Sequence, residues 1–402
     1  MKLTNKKVLI ILTLVIIAGV IAMMFLFTGR NRGFIIVNPY AGVNWDTFGQ
    51  YKAALHVHTT HSDGLDPLPD MVFTHYHRGF DIVAITDHNV ITRDWYRGLV
   101  GINLSRTLTA DEVLAITAGT FPSDTRPQAT GMIYFTYTNE QSRTEHINTF
   151  SAEFDNIPHP RFTQATTLEE VENLGGFSFL NHKGRYTGGV RGGEEGIAAS
   201  NDPERIDYYV ELYENFESLL GMELFNKLDD ETRSDRILWD NLLMRLMPYG
   251  RFIWGFGADD SHSVEAVGYA WTVLLMPELT EAAARTAMED GASISVSRVY
   301  RKLDINVTMP DGSPIPDAGT HATAFMLSQP TPSIVNITAE NNQISITALD
   351  YDKIEWIVDG EVIHTGAILY LPNHRRHINS YVRARIISDT GVALTQPFGI
   401  QR

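Results

Sequence analysis

The chain of 402 residues has no cysteine. Disulfides, thiolate zinc sites, lipid-modified cysteine and a cysteine nucleophile are therefore excluded. The redox compartment stays open, because exported chains also lack cysteine. Positive charge is in short supply as well: 32 Lys and Arg stand against 48 Asp and Glu, a formal net charge of −16. That balance argues against general binding to duplex nucleic acid or to an anionic membrane surface. A small phosphorylated substrate remains compatible with it, since bound divalent cations reverse the sign locally. One long apolar run is present. Lys2, Lys6 and Lys7 precede an uncharged, mostly apolar stretch over residues 8–29, after which come Arg30 and Arg32. About 20 such residues span a bilayer. Residues 1–33 are thus expected to be a transmembrane anchor, with the lysines inside and the remainder of the chain extracytoplasmic. The competing reading is a cleaved signal segment and a secreted protein, but Ala18, Gly19 and Ala22 make a poor cleavage site and the apolar character continues to Phe27.

What the sequence does contain is a recurring pairing of apolar runs with metal-ligand residues. Ala53-Ala54-Leu55 leads into His56-Val57-His58, and Asp63 and Gly64 follow shortly after. In a strand, side chains at i and i+2 share a face, so two imidazoles can grip one ion from a strand end. Similar runs end at Asp87-His88-Asn89, at Asn139-Glu140 with His146 beyond it, at Asn181-His182, at Asn226, and at Asp259-Asp260-Ser261-His262. Short apolar runs separated by helical stretches predict parallel strands alternating with helices. Ligands gathered at the carboxyl ends of such strands are what a β/α barrel offers as an active site.

The motifs His56-x-His58-Thr59-x-x-Ser62-Asp63-Gly64, Ile85-Thr86-Asp87-His88-Asn89, Asn181-His182 and Asp260-Ser261-His262 resemble the successive motifs of the polymerase and histidinol phosphatase (PHP) superfamily. The lead-in Val37-Asn38-Pro39-Tyr40 resembles that of its membrane- or envelope-associated phosphoesterases. The resemblance covers residues 35–300. It implies an α/β fold, a distorted (β/α)7 barrel over residues 34–300, and two or three divalent metal ions, with zinc, manganese or iron all suited to imidazole and carboxylate. It also implies hydrolysis of phosphate esters by a hydroxide that two ions share. By the same resemblance His56, His58, Glu140 and Asp260 hold a first metal. Glu140, His146 and His182 hold a second, and Asp63, His88 and His262 a third. Glu140, Asp260 and His262 are the expected catalytic residues.

Two stretches depart from the family pattern. The third motif ends in a glycine–acid pair, which Ala118-Gly119-Thr120 fits only superficially. Thr138-Asn139-Glu140 followed by His146 fits better and makes residues 122–131 an insertion. After His182 the family has proline, and this chain has Lys183. Lys183, Arg185 and Arg191 sit in a glycine-rich loop and are candidates for binding a substrate phosphate. The competing reading is a solvated loop whose cations offset Glu194 and Glu195. Asp87 is expected to orient a histidine, Glu223 and Asn226 to support the site from behind, and His75 and His77 to lie on the surface.

Thr280 reads as the N-cap of a helix that Gly291 stops, and residues 292–297 as the last barrel strand. Beyond residue 300, alternation over 342–348, 353–358 and 381–387 with an Asp359-Gly360 hairpin signal predicts a β-sandwich over 301–402. It carries no catalytic constellation, and its expected contact is with the cell envelope. Two alternatives compete with the phosphoesterase reading. One is a carbamate or carboxylic ester hydrolase on the same metals. The other is a non-catalytic envelope-binding module, which the number of titratable ligands disfavours.

Overall fold

The computed structural model describes residues 33–96, 107–127, 129–143, 146–154, 163–186, 193–226, 232–298 and 327–402. The proposed anchor falls outside these, and among the described residues no helix is long and apolar enough to cross a membrane.

Short strands close into a ring. Gly49–Ala54 runs parallel to Ile82–Val83, which runs parallel to Ile133–Tyr134. The apolar run that ends at Asn139-Glu140 is not one strand but is split. The chain kinks at Tyr137 (φ 52°) and resumes as Asn139–Gln141, joined to the second strand by a parallel bridge between His88 and Glu140. Asn139–Gln141 and Ile147–Phe150 are antiparallel, because the connection between them is too short for a crossover. Ile147–Phe150 is also antiparallel to Phe177–Leu180. Leu219–Asn226 and Trp254–Ala258 then follow in parallel. A parallel bridge from Ser261 to Val57 returns the ring to its first strand. The ring is thus α/β with one antiparallel interruption.

Helices cover the outside. Leu219–Asn226 is buried along its whole length, as a strand covered on both faces must be. Gly221 is required there, since a Cβ would lie 1.9 Å from the Trp254 carbonyl oxygen. Helix Pro203–Asn215 starts at Asp202, whose side chain accepts from the Glu204 amide. It contributes Tyr209 and Tyr213 to the core shared with Leu238, Trp239 and Leu242 of helix Arg233–Leu246. His75, expected on the surface, is instead buried in helix Leu68–His77. Its Nδ1 meets the Met71 carbonyl oxygen at 2.7 Å, and burial pushes its pKa down to about 3. It therefore packs as a neutral ring on the edge of Phe80.

The β-rich C-terminal part grows out of the same sheet. Ala270–Met276 lies antiparallel to Gly49–Ala54, and Ser293–Arg298 lies antiparallel to Ala270–Met276. Ser293–Arg298 is therefore not the closing barrel strand that the sequence suggested. It passes the sheet on to Gly391–Thr395, and from there to Tyr381–Ile387 and Lys353–Val358. A three-stranded sheet of Ser333–Glu340, Gln343–Leu349 and Ile368–Tyr370 buries Ile337, Ile344 and Leu369 in the core that also holds Trp356, Val382 and Ile386. Asp359 and Gly360 both take positive φ, 51° and 79°, as a tight turn of this kind requires. The expected boundary at residue 300 lies outside the described residues.

One buried ion pair fastens the two parts. Asp240, on helix Arg233–Leu246, receives Arg383 Nε at 2.8 Å, Arg383 NH2 at 2.5 Å and the Tyr381 hydroxyl at 2.8 Å. Removing one partner of a buried pair leaves the other charge uncompensated, at a cost of about 3–5 kcal/mol. Asp240→Ala should lower stability by that amount in urea unfolding. Because one sheet runs through both parts, the loss should appear in a single transition. Two separated transitions would show that they fold independently.

Candidate metal centre

The ring delivers its ligand residues to one end. At the centre is Glu140, fully buried, with five imidazoles around its carboxylate. Oε1 lies 2.8 Å from His146 Nδ1, 3.4 Å from His56 Nε2 and 3.5 Å from His182 Nε2. Oε2 lies 2.7 Å from His88 Nδ1 and 3.4 Å from His58 Nε2. Asp260 Oδ1 closes the inner group at 3.4 Å from His56 Nε2 and 3.2 Å from His58 Nε2. Asp63 forms the outer group, 3.4 Å from His88 Nε2 and 3.3 Å from His262 Nε2.

A layer of polar residues fixes these rings. Glu223 Oε1 takes the Nδ1 proton of His56 at 2.7 Å, and its Oε2 accepts from the His182 amide and from Asn226 Nδ2. With Nδ1 donating to Glu223, His56 is oriented so that Nε2 faces His58, Glu140 and Asp260. Asn181 donates to Glu140 Oε1 at 2.6 Å and to Asn148 Oδ1 at 2.9 Å. Asp87 was expected to orient a histidine, but it makes no hydrogen bond to one, His61 Nδ1 lying 3.8 Å from its Oδ2. It accepts from the Thr59 amide, the Thr59 hydroxyl and the Ser62 hydroxyl, and so holds the loop that carries His58 and Asp63. His182 and Asp260 take positive φ, 34° and 45°. Backbone of this kind, rare for non-glycine residues, persists only where its surroundings enforce it.

The electrostatics follow from the geometry. Burial by itself would raise the Glu140 carboxyl, but the imidazoles, His56 foremost, hold it well below the usual range. Burial disfavours a charged His56, yet Asp260, Glu140 and Glu223 together keep it well above the ordinary histidine value. Burial dominates at His58, pushed down to about 4, and at His182, pushed down to about 3. Both are therefore neutral donors at physiological pH. Burial also lifts Asp87 to about 6 against its three hydrogen bonds.

The donor set fits divalent cations. Among the described residues, nitrogen and carboxylate atoms converge in four groups: His58–Asp63–His88–His262, His56–His58–Asp260, His88–Glu140–His146 and His56–His182–Glu223. Glu140 Oε2 and His88 Nδ1, though 2.7 Å apart, are buried without a hydrogen bond, which is costly unless a cation satisfies them. In the last group Glu223 is already spent on His56 Nδ1 and the His182 amide, so it supports rather than ligates. Each residue expected as a ligand lies in this cluster, although the grouping differs: His58 joins Asp63, His88 and His262, and His88 joins Glu140 and His146. Thr120, the competing choice for the third motif, is exposed and bonds to the Ala115 carbonyl. Lys183, beside His182, is buried. The Arg185 side chain and Arg191 lie outside the described residues. Asn181 belongs to the Asn181-His182 motif, but its hydrogen bond to Glu140 does not show in the sequence, and Asn148, one strand across, gives no sequence signal at all.

No protein-family profile and no curated protein matches the chain. Among solved structures, it is similar to a two-domain protein from Bacteroides vulgatus containing a predicted PHP-like metal-dependent phosphoesterase. That match has 15% identity over 89% of this chain and 88% of that one, with a TM-score of 0.43. It is also similar to PsfC from Pseudomonas syringae, at 13% identity over 61% of this chain and 90% of that one, TM-score 0.36. A third match is the lesion-specific endonuclease PfuEndoQ from Pyrococcus furiosus, at 15% identity over 60% and 56%, TM-score 0.35. All three TM-scores lie below 0.5.

Three substitutions test the geometry. A Cβ on Gly64 would lie 2.7 Å from the Thr59 nitrogen and 2.8 Å from the His58 carbonyl carbon. Gly64→Ala should therefore displace the Asp63 loop and lower bound metal per chain, read by elemental analysis, while thermal unfolding shows the barrel retained. Glu140→Gln keeps the volume but removes the central charge, and should strip most of the metal. Thr120→Ala should retain wild-type metal content. Equal metal in Glu140→Gln and wild type would remove Glu140 from the centre.

Proposed function

We propose that the protein is a metal-dependent hydrolase of phosphate esters, of the PHP type that its motifs resemble. The observation that carries this reading is the grading of the cluster from buried to open. The His56 and Glu140 side chains are fully buried, whereas those of His88, His262 and His146 are 22%, 27% and 36% exposed and that of Asp63 is 56% exposed. A structural metal site closes its shell, and a catalytic one leaves room for substrate. This favours catalysis over a non-catalytic envelope module.

In this reading His56, His58, Glu140 and Asp260 hold the inner cation, and Glu140, His146, His182 and His88 share a second. Asp63, His88 and His262 hold a third on the open side. When bound, such ions acidify water and draw charge from phosphoryl oxygens. The chain's own residues do the positioning: Glu223 and Asn181 fix His56 and Glu140, and Asp87 fixes the loop bearing Asp63. Arg185 and Arg191, with Lys183, would receive the phosphate. The anchor over residues 8–29 would place the enzyme outside the cytoplasm.

The test is turnover by purified full-length protein on phosphate monoesters, phosphate diesters, carboxylic esters and carbamates. Phosphate esters should be cleaved, a chelator should abolish turnover, and zinc, manganese or iron should restore it. Cleavage of carboxylic esters or carbamates alone would favour the alternative chemistry. Bound metal with no turnover on any of the four would favour a binding module.

A further inference from the structure

In this acidic chain no Asp or Glu occurs over residues 362–388, a stretch holding Arg375, Arg376 and three histidines, while its Arg383 and Arg385 are paired with Asp240 and Glu355. Part of that stretch gathers where the described chain begins. Arg375 lies 5.0 Å over the ring of Phe34. The Phe34 amide donates to Asn342 Oδ1 at 2.5 Å, and the Asn342 carbonyl accepts from Leu371 at 2.9 Å. Strand Ile35–Val37 pairs with Phe398–Gln401, and Arg402 donates to the carbonyls of Arg375 and Ile378. Arg376, His377 and Arg402 are exposed and Arg375 is half-buried. Among them Ile35, Ile368 and Tyr370 are 61%, 52% and 45% exposed. Cations interleaved with exposed aliphatic and tyrosine side chains suit a bilayer interface. Immediately before Gly33 come Arg32, Arg30 and the apolar run over residues 8–29.

We propose that this surface docks on the head groups of an anionic bilayer, with residues 8–29 inserted beside it. The docking rests on the anchor reading and is independent of the phosphoesterase reading. It also orients the enzyme. Val37 and Phe252 line one cleft of about 680 Å³, and Phe252 precedes strand Trp254–Ala258, whose far end carries Asp260 and His262. The docked end and the ligand end are separated by roughly 25 Å of extended chain. The metal centre then faces away from the bilayer and takes substrates from solution or from the cell wall, not head groups beneath it.

The full chain is reconstituted in phosphatidylcholine vesicles with and without phosphatidylglycerol, containing a quencher on the head groups. Because the chain lacks cysteine, Asn373→Cys provides a single site for a fluorophore. Quenching should be stronger on the anionic vesicles and should fall in high salt. Arg375→Glu/Arg376→Glu should lower the ratio of docked to undocked protein about 30-fold or more. Arg376→Glu alone, at an exposed position, should lower it about fivefold or more. Arg205→Glu/Arg245→Glu, an equal charge change on outer helices, should leave it unchanged. Equal quenching on neutral vesicles, an equal loss in the control pair, or no association with anionic vesicles would overturn the proposal. Turnover of soluble phosphate esters in the same vesicles reports separately on the catalytic reading.

Discussion

A buried carboxylate among imidazoles is the constraint on which the rest of this molecule depends. Taking Glu140 out of water costs several kcal/mol unless positive charge or hydrogen bonds meet it. The chain meets it by bringing the ends of its strands to one point. The two single bridges that complete the ring fall on the ligands: His88 pairs with Glu140, and Val57 and Ser261 pair between His56 and His58 and between Asp260 and His262. Closing the barrel and assembling the cluster are therefore one event. Cations bound there would neutralise the carboxylates that closure buries, so metal binding would add to the stability of the ring.

The supporting layer explains how such a cluster keeps its geometry. Glu223 addresses His56 through the ring nitrogen and His182 through the backbone amide, so one carboxylate sets two ligands on different strands. Asp259 does the same for the loop after the last ring strand, accepting from the Gly268, Tyr269 and Ala270 amides. Its neighbour Asp260, in left-handed backbone, is thereby turned toward the histidines. Carboxylates saturated by amide and hydroxyl donors hold loops, and carboxylates facing imidazoles are placed to hold cations. Asp87 and Asp259 belong to the first kind, Glu140 and Asp260 to the second.

That distinction also marks what could be read from sequence. Most candidate ligand positions were legible from apolar runs ending in His, Asp or Glu, and Asp63 and His146, which lie in loops, only through the family resemblance. The grouping of ligands was not, because His58 and His88 each present two nitrogens, and which one faces which carboxylate depends on ring rotations that only packing decides. Asp87 was misread for a related reason. Adjacent to His88 in sequence, it reaches across to Thr59 and Ser62, a partner no local pattern reveals. The strand Ser293–Arg298 was assigned to the barrel because alternation gives a strand but not its neighbour. Its pairing with Gly391–Thr395 is a contact between residues far apart in the chain.

That long-range pairing changes what the C-terminal part can be. Were it a module on a linker, it could be added or lost without consequence for the cluster. Here Gly391–Thr395 pairs with Ser293–Arg298, Ser293–Arg298 with Ala270–Met276, and Ala270–Met276 with Gly49–Ala54, the strand that leads into His56. The Gln396 side chain adds a second link, accepting from the Gly255 amide and donating to the Gly255 carbonyl on the strand that leads to Asp260. The β-rich part thus braces two of the strands that present the inner ligands from the side away from the metal centre. None of the residues around Glu140 comes from its described residues, and what it adds is rigidity behind the strands that hold those rings.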